Sequence, residues 1–507
     1  MSNIYKFILY IFIIALSIIF CSELIVFFQN EGVGGHDNFQ YIGWSKVIFT
    51  EDKNLSFYRP VLYWIINIFF SFYGWLPESY GILLVIFYFI SALCFFILIN
   101  LRYKNLFLSL FSLLMIYSSP WIVTSFKNTY VNILEFSFII FFLSSYFFFL
   151  QKRNIFTIII FALIGFCLTH IHEDKIILVF FIYFYEFVYC RKNQKRDIYY
   201  VISIFCALSL IVILFYNPFE IYNSILSAGG SAPKTILSTI IYNFILNFTT
   251  PIKDSSSPFF SNIFLILLFA YPFLVKGKKK DFEFVIFLSL ISYLIVITLF
   301  FGHVQIMRVL HPVSPLFIIL AIFVIRYFLK NLSVNLRNVM LSLLILMIFN
   351  NFYNNTYKNF KHINDNSLHQ NHWYESYRFI KNNLEKSSTK IYETSSIENR
   401  IPGWGKNKNN YYGLSSPVYF YLDSVNSNYM INVKKNKPDQ KLINEILESY
   451  DVIIFNNLWK ENEKRRTSKK LINFDNHLEN EIKKRSSFTL KNFKKKNIDL
   501  NFYIKDF

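Results

Sequence analysis

The sequence predicts a polytopic α-helical membrane protein of about eleven transmembrane helices. Interfacial helices and a small C-terminal α/β soluble domain complete the predicted fold. Of the 507 residues, 54% are hydrophobic and 20% aromatic, which is too apolar for a soluble chain of this length. Long uncharged runs recur through residues 7–350 and then stop, and Asn, Lys, Tyr and Glu become frequent. We therefore expect a membrane domain over 1–350 and a soluble domain over 351–507.

The positions of the positive charges predict the topology. The formal net charge is +19, but the cations lie in clusters between apolar runs, which favours cytoplasmic loops over nucleic-acid binding. The clusters are 102–104, 151–153, 191–196, 276–280 and 326–337. The apolar runs between them form pairs that leave the cytoplasm and return: 105–124 with 132–150, 155–170 with 175–190, 198–216 with 259–275, and 284–301 with 312–328.

The remaining apolar runs fix the two ends of this topology. Residues 7–28 are too long for a signal peptide and read as a retained anchor helix. Residues 61–75 are short for a span, so we expect an interfacial helix there, followed by a true span over 79–101. The last run, 338–350, leads outward. The N-terminus is then cytoplasmic and the C-terminal domain extracytoplasmic, in a bacterial inner (plasma) membrane.

The C-terminal part alternates strand-like and helix-like segments. Strand-like runs are 389–394, 417–422, 450–457 and 497–507, and helix-like runs are 373–386 and 440–449. All five cysteines fall in or beside apolar segments of the membrane domain, and no CxxC motif occurs. A small α/β domain without a disulfide framework follows from these patterns.

Unusual polar residues gather on the predicted outer face. The first outer loop carries His36, Asp37, Tyr41, Tyr58 and Arg59. The turn "THIHEDK" carries His172, Glu173, Asp174 and Lys175, and a later turn leads into Arg308 and His311. Glu135 lies about one turn into an apolar helix. Because ionisable residues are costly there, we interpret Glu135 as facing a functional cavity.

Each of these features also has a simpler interpretation. Asp37 could be the N-cap of the helix that follows it, as readily as a catalyst. The His and acidic residues of "HIHEDK" are metal ligands by type, but adjacent residues in a short turn cannot all converge on one ion. We therefore favour a structural or substrate-positioning role, assign no metal ligand, and leave a divalent metal open. Arg308 and His311 could share a helical face directed at a phosphate.

Two stretches resemble a known family of enzymes. "HDNFQY" follows the first span, and the aromatic, basic and proline-containing "YRPVLYWIINIFFSFYG" comes after it. This order is similar to the GT-C superfamily of integral membrane glycosyltransferases, in the branch of the lipid A aminoarabinose transferases and protein O-mannosyltransferases. The resemblance covers about residues 1–350. "NILEFSF", "GFCLTHIHEDK" and "RVLHPVSPL" resemble later family segments.

The resemblance implies an inverting glycosyltransferase whose donor is a sugar on a polyprenyl phosphate and whose acceptor is a glycolipid, glycan or protein. It places Asp37 at the catalytic acid position and Glu135 at a second acidic position. Many relatives carry an acid directly after the first one, whereas this chain has Asn38.

Transfer requires a base at the acceptor and cations at the leaving phosphate. Asp37 is the predicted base, Glu135 its partner, and the other outer-face residues named above are predicted to bind substrate. A flippase or exporter of lipid-linked sugars, and a polysaccharide polymerase or ligase, are the alternatives.

Overall fold

The computed structural model describes most of the membrane domain and part of the C-terminal domain. The described residues are 3–31, 41–42, 45, 59–74, 76, 78–127, 131–192, 197–216, 270–274, 282–301, 306–365, 391–393, 440–456, 469–495 and 498–506. Of the predicted span 259–275 only residues 270–274 are described, and the predicted elements at 373–386 and 417–422 lie wholly outside the described residues.

Helices dominate the described chain. In chain order they are α1 (Asn3–Glu31), α2 (Pro60–Tyr73), α3 (Ser79–Tyr103), α4 (Leu106–Tyr117), α5 (Pro120–Lys127), α6 (Asn132–Gln151), α7 (Ile155–Ile171), α8 (Lys175–Lys192), α9 (Asp197–Tyr216), α10 (Phe282–Phe301), α11 (Ile306–Lys330) and α12 (Val334–Asn351). Within the described residues, six helical segments are long and apolar enough to cross a membrane: Phe7–Asn30, Ser79–Tyr103, Asn132–Gln151, Asp197–Phe215, His311–Lys330 and Val334–Asp365. The predicted polytopic helical fold class is confirmed.

One predicted span is divided in the structure. The apolar run 105–124 forms two helices, α4 and α5, because the chain breaks at Ser118 and Ser119 before Pro120. Proline disfavours helical backbone at the residue before it and cannot donate a backbone hydrogen bond. The Asn105 side chain caps the start of α4 by accepting from the Leu108 backbone N–H at 3.1 Å.

Helix α6 lies at the centre of the bundle. It is apolar around its whole circumference and packs against α3, α7 and α11, so most of its side chains are buried. Helices α7 and α8 approach closely at Gly165, where a Cβ atom would overlap the Tyr183 hydroxyl. That hydroxyl donates to the Phe161 carbonyl at 3.0 Å. The tight contact fixes the two helices on either side of the turn at residues 172–174.

The last membrane helix continues beyond its predicted end. After α12 the backbone forms a π-helix over Phe352–Tyr357 and then α13 (Lys358–Asp365). Phe360 of α13 packs on Phe27 of α1, with ring centroids 5.4 Å apart. The helix therefore crosses residue 350, where the sequence changes composition, and the domain boundary at that residue stays a prediction.

The described C-terminal residues form a four-stranded sheet with two helices. The elements are β1 (Ile391–Glu393), α14 (Gln440–Ser449), β2 (Val452–Asn456), α15 (Lys469–Lys483), β3 (Phe488–Lys495) and β4 (Ile498–Lys505). The strand order is β1-β2-β4-β3, with β1 and β2 parallel and the other pairs antiparallel. Apolar residues of α14, α15 and the sheet form a core separate from that of the membrane helices. The strands predicted within 389–394, 450–457 and 497–507 and the helix predicted at 440–449 are all present.

Candidate active site

The structure brings together five of the residues predicted for the site. Glu135, His172, Asp174, Lys175 and Arg59 are joined by ion pairs and hydrogen bonds. Glu173 and Tyr41 bind Arg59 at the edge of this group. His36, Asp37 and Tyr58 lie outside the described residues, and so does the side chain of Arg308, whose backbone belongs to α11.

The cluster forms where a helix begins and a turn passes beside it. Glu135 lies in the first turn of α6. The turn between α7 and α8 begins with His172 in an extended conformation, at φ −153° and ψ 125°. The chain then turns, with the Lys175 N–H donating to the His172 carbonyl at 3.1 Å. His172 Nε2 lies 3.8 Å from Glu135 Oε1, and one oxygen of Asp174 lies within 4.8 Å of the same carboxylate. The turn thus directs two side chains of "HIHEDK" inward.

At the centre of the cluster is a buried lysine between two carboxylates. Lys175 Nζ lies 2.8 Å from Glu135 Oε2 and 2.6 Å from Asp174 Oδ2, and its side chain has no exposed surface. Tyr293 of α10 donates from its hydroxyl to Asp174 Oδ2 at 2.7 Å and accepts from Lys175 at 3.1 Å. Buried charges are tolerated when they are paired and hydrogen-bonded in this way.

The sequence did not single out Tyr293. It is one of 35 tyrosines and lies within an apolar run, as many of the others do. Its contact with Asp174 joins residues 119 positions apart, and no local spacing signals such a contact. Tyr293 ties α10 to the turn that carries the site.

His172 connects the buried acids to Arg59. Its Nε2 lies 2.9 Å from Arg59 Nη2, and its Nδ1 lies 2.6 Å from Asp174 Oδ1. A guanidinium only donates, so Nε2 accepts and the ring proton is assigned to Nδ1, facing Asp174. Burial and Arg59 lower the pKa of His172, the neighbouring carboxylates raise it, and the net shift is upward. The 2.9 Å contact between Arg59 Nη2 and His172 Nε2 nevertheless requires a neutral ring, because a protonated Nε2 could not accept a hydrogen bond.

Arg59 is held at the edge of the cluster by a bidentate carboxylate. Its Nε and Nη2 donate to the two oxygens of Glu173 at 2.9 and 3.0 Å, and its Nη1 donates to Tyr41 at 2.8 Å. Partial burial of the Glu173 carboxyl favours its neutral form, but Arg59, and His172 when it is protonated, outweigh burial and lower the pKa of Glu173 to about 2. Arg59 and Glu173 therefore form a charged pair at neutral pH.

The same residues include donors suited to a metal ion. One oxygen each of Glu135 and Asp174 and one ring nitrogen of His172 lie within 4.8 Å of one another. We expected that the adjacent residues of this turn would not all converge on one ion, and of them only His172 and Asp174 belong to this group of donors. The Lys175 ammonium, however, lies within hydrogen-bond distance of both acids and competes with any cation for them.

His311 lies apart from these contacts. Its ring is fully buried, its Nδ1 lies 2.9 Å from Ser125 Oγ, and it stacks on Phe136 with centroids 5.4 Å apart. Its Nε2 has no hydrogen-bond partner among the described residues. A role of His311 in substrate binding stays a prediction.

Other ion pairs lie at the opposite end of the bundle. Arg153 lies two residues beyond the end of α6 and donates to Glu186 at 3.0 Å. Glu135 is in the first turn of the same helix. A helix of 20 residues is about 30 Å long. Arg102, at the end of α3, donates to Glu283 at 2.8 and 2.7 Å. These pairs involve two of the predicted cytoplasmic clusters, so the site lies at the other end.

The helical architecture and the buried charge cluster define a polytopic membrane protein with a polar site at one end of its helix bundle. No family model matches the chain, and no curated protein matches it. Among solved structures, it is similar to ArnT from Cupriavidus metallidurans bound to undecaprenyl phosphate. The two share a TM-score of 0.61 over 97% of each chain, at 11% sequence identity. At that identity the likeness establishes the fold, which agrees with the resemblance read from the sequence motifs.

Proposed function

We propose that this protein transfers a sugar from a polyprenyl-phosphate donor to an acceptor on the non-cytoplasmic face of the membrane. The observation that carries the proposal is a buried acid–base cluster at one end of a bundle with the GT-C fold. The structurally similar ArnT was solved with undecaprenyl phosphate bound, which supports a lipid-phosphate partner here. Glycolipid, glycan and protein acceptors all fit this proposal.

Transfer requires a displacement at the first carbon of the sugar. The acceptor oxygen or nitrogen forms a bond to this carbon while the bond to the phosphate oxygen breaks and the polyprenyl phosphate leaves with the electron pair. A single displacement inverts the configuration, as the family resemblance implies. Asp37 is the proposed base that takes the acceptor proton.

Glu135 is the proposed partner of this base. Its Oε2 is ion-paired with Lys175 at 2.8 Å. Its Oε1 lies 3.8 Å from His172 Nε2 and has no hydrogen-bond partner among the described residues although the carboxylate is buried. A buried acceptor of this kind is costly unless a ligand satisfies it. An acceptor hydroxyl or amine that donates to Glu135 Oε1 would be oriented for attack.

Arg59 is the described cation best placed for the leaving phosphate. Lys175 is buried between two acids, whereas Arg59 lies at the edge of the cluster and presents a fork that matches two phosphate oxygens. We propose that Arg59 binds the phosphate and that Lys175 holds Glu135 and Asp174 in position. Arg308 and His311 remain proposed secondary contacts.

Two measurements test this function. A strain that lacks the gene should accumulate one polyprenyl-phosphate sugar, which would also identify the donor. The purified full chain in detergent should then move this sugar to an acceptor fraction from the same strain. Detergent removes the two sides of a membrane, so a flippase or exporter would give accumulation in cells but no product in detergent. An unchanged lipid-linked sugar pool would contradict both functions.

A further inference from the structure

Glu173 and Arg59 form a contact that differs from the others in the site. Both oxygens of Glu173 face the Nε and Nη2 edge of the guanidinium, at 2.9 and 3.0 Å. The side chain of Arg59 is 8% exposed and that of Glu173 is 37% exposed. The anion is thus the member of the pair that is open to replacement, while the cation is fixed in the protein.

We propose that Glu173 is a latch that occupies the phosphate position on Arg59 and is displaced when the lipid phosphate binds. This inference rests on the proposed function and concerns how the same site loads and releases its lipid. A carboxylate and a phosphate can each place two oxygens on the same guanidinium edge, so they compete for it.

Arg59 has contacts that would keep it in place when Glu173 leaves. Its Nη1 donates to the Tyr41 hydroxyl at 2.8 Å, and Nη2 lies 2.9 Å from His172 Nε2. Its backbone carbonyl accepts from the Tyr63 N–H at the start of α2. The guanidinium therefore stays oriented towards the vacated position.

Glu173 is also the least restrained acid of the turn. Asp174 binds Lys175 and Tyr293 and is 7% exposed, and Glu135 is 1% exposed. Glu173 contacts Arg59 and lies 3.8 Å from the His172 ring. Rotation of its side chain towards solvent would leave the buried cluster intact.

The charges of the donor and the product indicate that the Glu173 latch would favour product release. The donor is a phosphodiester with one negative charge, whereas the released polyprenyl phosphate is a monoester that carries up to two. An unopposed Arg59 would hold the product more tightly than the donor and slow its release. By binding Arg59 again, Glu173 favours departure of the product.

The test is to bind undecaprenyl phosphate to the full chain in detergent. The variant Glu173→Gln keeps the side-chain shape but removes the competing charge, so its Kd for undecaprenyl phosphate should fall about tenfold. Under turnover, KM for the donor should fall together with kcat, because product release becomes slower. Glu448→Gln, which removes an exposed carboxylate of α14, is the charge-matched control and should leave both unchanged.

A second variant keeps the inference testable if Glu173→Gln does not fold. Glu173→Asp retains the charge on a shorter side chain that cannot reach both guanidinium nitrogens, and it should also bind the lipid more tightly. Equal or weaker lipid binding in a folded variant, with wild-type protein binding the lipid, overturns the latch and leaves the proposed function standing. Absence of lipid binding and transfer in the wild type would instead overturn the proposed function.

Discussion

Lys175 Nζ lies 2.8 Å from Glu135 Oε2, and neither side chain is more than 1% exposed. The pair joins the first turn of α6 to the first residue of α8, and Asp174 lies against the same ammonium. Removing one partner of such a pair leaves a buried charge without compensation, whereas removing both often costs little. The stability of the site therefore depends on the members of the cluster being present together.

A double-mutant cycle tests this dependence. Lys175→Met should lower the free energy of unfolding by about 3–5 kcal/mol, because it leaves buried carboxylates unpaired. Adding Glu135→Gln should restore part of that loss, so the double variant is more stable than the sum of the single effects predicts. Unfolding of the detergent-solubilised protein measures each variant. Strictly additive effects would show that the two side chains do not interact.

Lys175 is also expected to prevent metal binding at the site, because its ammonium pairs with both acids. In Lys175→Ala the donors of Glu135, His172 and Asp174 remain but the competing ammonium is gone. We expect Zn²⁺ to raise the melting temperature of this variant more than that of the wild type, since a ligand that binds only the folded state stabilises it. Adding Asp174→Asn should abolish the extra stabilisation. Equal effects of Zn²⁺ on wild type and variant would refute the prediction.

Tyr293 is expected to act by positioning Asp174 and Lys175. Tyr293→Phe removes one hydrogen bond to each and should reduce kcat several-fold, with KM for the donor little changed. Tyr183→Phe is the matched control, because it removes a buried tyrosine hydroxyl that donates to the Phe161 carbonyl and not to the charged residues of the site. Steady-state kinetics on both variants distinguishes positioning from packing, since a packing role would give similar losses in the two.

The Arg59–Glu173 pair predicts an acid-dependent component of stability. Its environment lowers the pKa of Glu173 from 4.5 to about 2, so the charged carboxylate stabilises the folded state above pH 4.5. This component is lost as the pH falls from 4.5 towards 2. The melting temperature of the wild type should therefore drop more than that of Glu173→Gln between about pH 6 and pH 3. Parallel curves for the two proteins would exclude the pair as the cause.

Asp37 carries the catalytic prediction made from the sequence. Asp37→Asn should abolish sugar transfer while the protein still inserts, folds and binds undecaprenyl phosphate, because the amide cannot take a proton from the acceptor. Asn38→Asp is the comparison variant, since many relatives of the resembled family carry an acid at the following position. Transfer by Asp37→Asn at the wild-type rate would remove Asp37 from the mechanism.

The sequence predicted the polytopic helical fold class for physical reasons that act locally. Hydrophobic length and the spacing of cationic clusters determine which helix ends share a face, and Arg153 and Glu135 do lie at opposite ends of α6. Glu135 could be selected because an acid inside an apolar helix requires a partner. Its actual partners, Lys175 and His172, follow from helix packing and could not be chosen from the sequence.

Other elements were missed because their signals are weak or non-local. The serines and proline at 118–120 contain the break between α4 and α5, but the surrounding apolar run conceals it. In the C-terminal domain, the lysine-rich strand β3 has few apolar residues to show a period. Helix α15 does have one, in Leu471, Phe474, Leu478 and Ile482, but it was not predicted because polar residues dominate the segment around it. Both are present because they pack or pair with β4 and the core of that domain.

The Arg102–Glu283 pair has a consequence for how the chain enters the bilayer. The two residues are 181 positions apart, so Arg102 emerges from the ribosome well before its acid. At a synthesis rate of about 5–20 residues per second, the interval is roughly 10–40 seconds. During this time the guanidinium must rest among lipid headgroups, which a long side chain at a helix end can reach. Insertion of α10 then draws the early and late helices together at the end predicted to be cytoplasmic, after the ribosome has passed most of the membrane domain.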